Sequence, residues 1–151
     1  MIEFEVNKSE LKKIQRDLDK LFPDSDTKLR TTLRSALRKA AAPLRKELRK
    51  QIDLGLDSDS ETTGQLRRSI GIINGKTKGG RKPAVYVGPR LKGAWANKEK
   101  TGFYMYFLEY GKVGVSPRRM FDKTLAAKGN EVANQLITKL QGIISKRFAK
   151  K

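Results

Sequence analysis

Aromatic side chains are concentrated in one segment, residues 103–125, which reads FYMYFLEYGKVGVSPRRMFDKTL. It holds three of the 4 tyrosines and three of the 6 phenylalanines of the chain. Burying one aromatic side chain stabilises a fold by roughly 1.5–3 kcal/mol, so we expect this segment to anchor the core. Its single acid before Gly111 is Glu109. This residue is either an edge-of-core acid that reaches water or an arginine, or a charge held for an arginine of a neighbouring subunit.

The charge balance limits what the protein can bind and catalyse. The chain has 34 Lys and Arg against 16 Asp and Glu, a formal net charge of +18. Such an excess favours an acidic partner, either nucleic acid or an acidic protein surface. The chain has no histidine and no cysteine, so the commonest general base, metal ligand and thiolate nucleophile are missing. We therefore expect no catalytic residues, no metal and no cofactor.

The length and the N-terminus favour one cytosolic domain. A chain of 151 residues is most simply a single domain, residues 1–151. No apolar run approaches the roughly 18 residues that a membrane span needs. The first residues, MIEFEV, do not have the order of a signal peptide, in which a basic region precedes an apolar one.

Two long helices are predicted by apolar residues spaced three or four apart. The first follows a short strand at residues 2–6 and a shorter helix that Pro23 ends. Pro43 lies inside its pattern and is expected to kink or split it near residues 39–42. The second is predicted to begin at Ser116-Pro117, since serine caps helices and proline fits the first turn. The two stripes are Leu29, Leu33, Leu37, Ala41, Leu44, Leu48 and Ile52, and Phe121, Leu125, Val132, Leu136, Leu140, Ile144 and Phe148.

A β-hairpin is predicted between the two helices. Its strands are residues 70–73 and 84–88, and its tip is rich in glycine and cations. A single helical turn, from the spacing of Leu66 and Ile70, precedes it. Residues 103–110 are apolar on both alternating sets and fit either a central strand or a buried helical turn. The predicted class is α+β, a small antiparallel sheet packed against two long helices.

Several charged sets are candidates for an interface or a DNA channel, although each also fits an ordinary solvated surface. Residues 53–61 form an acidic loop with a faint calcium-loop spacing. Thr62 and Arg68 stand where such a loop needs glycine and glutamate, so no calcium site is predicted. Trp95 either stacks on a base or pins its loop to the core. The candidates are Arg30, Arg34, Arg38, Asp57, Asp59, Glu61, Lys76, Lys78, Arg81, Lys82 and Trp95.

Four short motifs follow one another along the chain. They are TGxLRxSI at 63–70, VGP at 87–89, YxxFLEYG at 104–111 and PxRxF at 117–121. In this order they resemble the small tail-component family of long-tailed bacteriophages, also called tail-completion, neck or head–tail joining proteins. The resemblance covers about residues 25–148. The residues that carry it are Thr63, Gly64, Leu66, Ser69, Ile70, Gly88, Tyr104, Phe107, Glu109, Tyr110, Gly111, Pro117, Arg119 and Phe121.

The chain departs from the family pattern near the start of its last helix. Met120 stands where the family commonly has a second proline. Lys123 and Thr124 stand where the family often has an arginine and a proline. These departures concern the geometry of the loop before the helix.

The resemblance implies a structural role in the virion. Such proteins assemble as rings at the head-proximal end of the tail, where they complete the tail or join it to the filled head. The implied partners are other tail and neck proteins, with possible contact to DNA. The implied location is the virion tail or neck, and the host cytoplasm during assembly. Closed rings need two different complementary patches, and the acidic loop and the arginine stripe are candidates for one pair.

Two alternatives remain open at this point. The chain also fits a small basic nucleic-acid-binding protein or a toxin-type ribonuclease. RNA cleavage without histidine would use Tyr104, Tyr106, Glu109, Arg118 and Arg119. Binding driven by charge alone is the third possibility, and its affinity would fall steeply with salt.

Overall fold

A computed structural model describes residues 8–21, 27–56, 61–75, 83–90, 101–114 and 116–149. It confirms the α+β class, with a two-stranded antiparallel sheet and two long helices. The predicted strand at residues 2–6 lies outside the described residues. The elements in chain order are α1 (Lys8–Leu21), α2 (Thr27–Gly55), α3 (Glu61–Ser69), β1 (Ile70–Asn74), β2 (Val85–Pro89), α4 (Thr101–Tyr110) and α5 (Met120–Phe148).

The two long helices pack against each other in opposite directions. In one hydrophobic cluster, Leu29 and Leu33 from the start of α2 meet Ile144 from the end of α5, with Ile14 of α1 packed beside them. In the second cluster, residues from the end of α2 meet the first residue of α5. Its fully buried members are Leu48, Ile52, Leu66, Ile70, Met105 and Met120. The helix pair therefore connects two apolar centres, one at each end.

Of the two predicted effects of Pro43, a kink or a split, the split does not occur. α2 runs as one helix of 29 residues with Pro43 inside it. The apolar stripe continues on both sides of the proline, since Ala40 and Leu48 are both buried. Packing of this stripe against α5 outweighs the one backbone hydrogen bond that proline removes.

The hairpin forms as predicted, and its register is defined. Ile70 stands opposite Pro89 and Asn74 opposite Val85. The N–H of Arg90 donates to the carbonyl of Ser69 at 3.0 Å. Because hydrogen-bonded and non-bonded pairs alternate in an antiparallel ladder, Ile70 and Ile72 direct their backbone groups away from β2. The element before the hairpin is longer than the predicted single turn, because α3 has 9 residues.

Residues 103–110 are helical, which resolves the ambiguity left by their apolar pattern. They form most of α4, and this helix buries Met105 and Glu109, which are four residues apart. Gly111 ends the helix with a φ of 78°, and its N–H donates to the carbonyl of Phe107 at 2.8 Å. Glycine adopts this left-handed conformation without steric cost, which is why it so often ends helices.

Candidate functional site

Glu109 joins α4 to the start of α5. Its side chain is only 7% exposed, and its Oε2 accepts a hydrogen bond from the N–H of Phe121 at 3.0 Å. Beside this contact, the N–H of Arg118 donates to the carbonyl of Leu108 at 2.7 Å. The first N–H groups of a helix have no partner within it and carry partial positive charge. Glu109 therefore caps α5 from a different helix.

This contact corrects the predicted start of the last helix. Ser116 and Pro117 are exposed and precede α5, which begins at Met120. Arg119 occupies the N-cap position in the left-handed conformation, φ 48° and ψ 50°, and makes no capping hydrogen bond through its side chain. The carboxylate of Glu109 supplies the acceptor that serine was expected to provide. This role replaces the interpretation of Glu109 as an edge-of-core acid that reaches water or an arginine, while a contact with an arginine of a neighbouring subunit stays a prediction.

The tyrosines of α4 are on the surface, contrary to the expectation that the aromatic segment anchors the core. Tyr104, Tyr106 and Tyr110 are 50%, 60% and 69% exposed. The rings of Tyr106 and Tyr110 lie 5.0 Å apart between centroids, and Tyr106 meets the half-buried Phe107 edge-to-face at 6.0 Å. Met105, which is 2% exposed, takes the core position. We call Tyr106, Phe107 and Tyr110 the tyrosine face.

Some of the other residues of the family-like motifs lie in the core near the junction of α4 and α5. Leu66, Ser69 and Ile70 are buried, and the hydroxyl of Ser69 donates to the carbonyl of Leu66 at 2.6 Å. Gly88 is buried, and a Cβ there would lie 3.9 Å from the ring of Phe121. Gly64 has open space around it. The side chain of Thr63 lies outside the described residues.

The predicted arginine stripe is only partly a free surface. Arg38 donates from Nη1 to the carbonyl of Ile72 at 3.1 Å and to Oδ1 of Asn74 at 3.0 Å. Arg30 and Arg34 are half-buried, and both interact with neighbouring groups. The stripe therefore contributes to the fold, and Arg38 covers part of the outer edge of β1.

A second set of arginines, which the sequence reasoning did not single out as a site, gathers around Arg49. Its Nη2 donates to the carbonyl of Ile70 at 2.8 Å, while the guanidinium of Arg90 lies over the adjacent Gly71. Burial, and then repulsion from Arg45, Arg67 and Arg90, lower the pKa of the Arg49 guanidinium. We call these four arginines the arginine cluster.

One carboxylate accompanies the arginine cluster within the described chain segments. Asp53 Oδ2 lies 3.2 Å from Nε of Arg67, whose side chain is exposed, and Asp53 itself is half-buried. The spacing of Arg45 and Arg49 along α2 suggests a shared helix face, but their meeting with Arg67 and Arg90 depends on the tertiary fold. Four guanidinium groups with a single neighbouring carboxylate carry excess positive charge, and such a site is suited to anions.

The remaining candidates lie wholly or partly outside the described residues. Glu61 begins α3, but its side chain is outside the described residues. The same holds for the whole of Asp57, Asp59, Lys76, Lys78, Arg81, Lys82 and Trp95. The described part of the chain contains no group of three or more acids that could hold a metal ion. No helix in the described ranges is long and apolar enough to cross a membrane.

Comparison with known proteins gives one family. Residues 12–111 match the family model described as "Bacteriophage HK97-gp10, putative tail-component". This range runs from α1 through α4 and ends at Gly111, the glycine that caps α4. No curated protein and no solved structure matches the chain.

Proposed function

Because the chain belongs to the HK97-gp10-like family of bacteriophage tail components, we propose that it completes the tail at its head-proximal end or joins the tail to the filled head. The family match over residues 12–111 carries this proposal. Its partners are other phage tail proteins, and its place is the virion tail. It acts by assembling into a ring rather than by turning over a substrate.

The tyrosine face supports assembly. Tyr106 and Tyr110 are 60% and 69% exposed, although a packed domain gains by burying such rings. Tyrosine is enriched in protein–protein interfaces, where its ring is buried and its hydroxyl remains hydrogen-bonded. A closed ring needs a second, different patch on each copy. The pair we propose for it is the acidic residues Asp57, Asp59 and Glu61 with the arginine stripe Arg30, Arg34 and Arg38.

Light-scattering mass at low and high salt tests the ring, on protein freed of nucleic acid. We expect a discrete multimer that survives high salt, since tyrosine contacts are not screened by ions. Replacing both Tyr106 and Tyr110 with serine should shift the mass toward the monomer. Leu54→Ser is the control, because Leu54 is 71% exposed on α2. A monomer under all conditions would contradict self-assembly into a ring.

The arginine cluster favours contact with DNA as a second activity of the same protein. Guanidinium groups match phosphate oxygens in pairs, and phosphate contacts make affinity depend on salt. We propose that Arg45 and Arg67 contact the backbone of DNA in the tail channel. Binding of a short labelled duplex, measured by fluorescence anisotropy across a salt series, tests this contact.

Two double variants, each lacking two positive charges, separate a specific contact from an effect of net charge. Replacing Arg45 and Arg67 with glutamine should weaken binding and reduce the slope of log affinity against log salt by about 0.9 for each phosphate that the protein no longer neutralises. Replacing Lys12 and Lys13 with glutamine removes the same charge from exposed positions of α1. Equal effects of the two double variants would show that binding follows net charge alone.

The ribonuclease alternative has less support. Glu109, its candidate base, is 7% exposed and accepts the N–H of Phe121. Arg118, a candidate phosphate contact, donates from Nη1 to the carbonyl of Gly55. A general base must reach the proton that it removes, and this carboxylate is held inside the junction of α4 and α5.

A further inference from the structure

The turn that follows α4 carries an apolar side chain that the fold does not use. Val113 is 102% exposed and lies between Gly111 and Gly114, which both have a φ of 78°. The chain beyond the turn is fixed by Arg118, which donates from its N–H to a carbonyl of α4 at 2.7 Å and from its side chain to the last residue of α2. Val113 therefore projects from a fixed base without packing against its own chain. We call residues 111–114 the valine turn.

An apolar groove lies on another part of the same molecule. Its volume is about 350 Å³, and α2, β2 and α5 contribute its walls. Leu44, Val87, Leu125 and Val132 line it and are half-buried, so an inserted apolar side chain would remove more of their surface from water. The valine turn is not among the residues that line this groove. One molecule thus has an apolar projection and a separate apolar recess.

We propose that Val113 enters this groove on a second copy of the same chain, and that the contact repeats from copy to copy. The projection and the recess are two different patches, so the contact is head-to-tail, the type of interface from which closed rings are built. Burial of a fully exposed valine together with the half-buried walls of the groove stabilises the contact. This contact rests on the self-assembly proposed above and identifies an apolar part of its interface.

Charge complementarity favours a copy of this chain as the occupant. Residues 111–119 carry three cations and no acid. Glu47 of α2 and Glu131 of α5 each directly precede a residue that lines the groove. Both lie near Lys128, because the hydrogen bond to Glu131 and then the charges of Glu131 and Glu47 raise the pKa of the Lys128 ammonium. These three groups carry a net negative charge, which is opposite to the charge of the segment that holds Val113.

Cysteine pairs test the contact directly, because the chain has no cysteine of its own. Full-length Val113→Cys is mixed with full-length Val132→Cys under mild oxidation. A disulfide needs Cβ atoms about 3.5–4.5 Å apart, so we expect a linked dimer of the two variants. Leu125→Cys repeats the test from a second position of the groove wall.

The control for cross-linking is an exposed residue elsewhere on α2. Leu54→Cys, at a 71% exposed position, is mixed with Val132→Cys and should give little linked dimer. Equal amounts of linked dimer with Leu54→Cys and with Val113→Cys would overturn the proposal. Failure of Val113→Cys to link to either groove position would overturn it as well.

Light-scattering mass relates the contact to the ring. Val113→Asp changes a side chain that is fully exposed in the monomer, so Tm should remain that of the wild type. Self-association should weaken by about tenfold or more, since the variant places a charge in an apolar groove. Leu54→Asp introduces the same charge and should assemble like the wild type. A wild-type multimer that Val113→Asp leaves unchanged would overturn the contact while leaving the ring intact.

Mixing of two variants tests whether the contact is head-to-tail. Val113→Asp keeps the groove, and Val132→Glu keeps the valine turn. At a concentration where each variant alone is monomeric, the mixture should contain a heterodimer, because one intact turn meets one intact groove. If Val132→Glu lowers Tm, Val132→Thr makes a polar change of nearly the same size. A mixture that remains monomeric would overturn the proposal. Specific linking of Val113→Cys to Val132→Cys in a protein that is otherwise monomeric would support the contact and contradict the ring.

Discussion

Removing the Glu109 carboxylate should destabilise the protein by about 2–3 kcal/mol. A hydrogen bond to a charged group contributes about 1.5–3 kcal/mol, and an acid at a helix N-terminus contributes about 0.3–1 kcal/mol. Glu109 makes both interactions through one oxygen, 3.0 Å from the N–H of Phe121. The two terms overlap, and alanine also removes the cost of burying a charge. We therefore expect the cost of Glu109→Ala to lie within the range for the hydrogen bond rather than at the sum of the two terms.

The glutamine variant separates charge from geometry. Glu109→Gln keeps an oxygen acceptor near Phe121 and loses only the charge, so we expect a cost of about 1 kcal/mol. Thermal and urea unfolding, followed by circular dichroism, measure both variants. For a chain of this size, 1 kcal/mol shifts Tm by roughly 2–4 °C, so the alanine variant should melt about 4–12 °C below the wild type.

The control for Glu109 is an exposed glutamate on the capped helix. Glu131 pairs with Lys128 at 2.7 Å, and an exposed pair of this kind contributes about 0–1 kcal/mol. If Glu109→Ala and Glu131→Ala both remain within about 0.5 kcal/mol of the wild type, Glu109 does not stabilise the start of α5. The account of the junction between α4 and α5 would then be wrong.

Three further predictions concern packing and the arginine cluster. Leu48→Ala, at a fully buried position, should lower the free energy of unfolding by about 2–5 kcal/mol in urea. Leu54→Ala, at a 71% exposed position, should lower it by less than about 0.5 kcal/mol. Similar values for the two variants would contradict the assigned core. Pro43→Ala restores a backbone hydrogen bond inside α2 and should raise the free energy of unfolding by about 1–3 kcal/mol in the same assay. A decrease would show that packing of the proline ring stabilises the fold. Gly71→Ala places a Cβ against Nε of Arg90, so it should displace that flexible side chain and weaken duplex binding by anisotropy with little change in Tm. Unchanged binding would show that the position of Arg90 does not affect the proposed DNA contact.

The sequence was sufficient where apolar spacing determines the structure. The stripe from Leu29 to Ile52 predicted α2, and alternation predicted the two strands of the hairpin. Residues 103–110 could not be decided from their apolar pattern because nearly every position is apolar or aromatic. The glycine at position 111, directly after Tyr110, is a helix-end signal in the sequence that could have decided the question. The exposure of the tyrosines could not be read from the sequence, because the same helix also carries Met105 for the core.

The start of α5 and the arginine contacts were beyond local sequence reasoning for a physical reason. Ser116 is a good capping residue, but the partner of the helix N-terminus comes from α4, twelve residues before Phe121. Arginines repeated every four residues on α2 indicate a charged face, and nothing in that spacing shows that Arg38 and Arg49 donate to carbonyls of β1. In both places a tertiary acceptor replaces a local one or solvent.

The junction of α4 and α5 also divides the EYG part of the family-like motif into residues with different tasks. Glu109 is buried and caps α5, and Gly111 ends α4, so both are explained by the fold. Tyr110 lies between them and is 69% exposed, so the fold does not require its ring. We expect variants of Glu109 or Gly111 to affect the proposed assembly through stability, and a variant of Tyr110 to affect it while the monomer remains folded. We therefore propose to look for the surface of the proposed assembly at Tyr110 and its neighbour Tyr106. An unchanged Tm is the condition for attributing any loss of assembly to a direct contact.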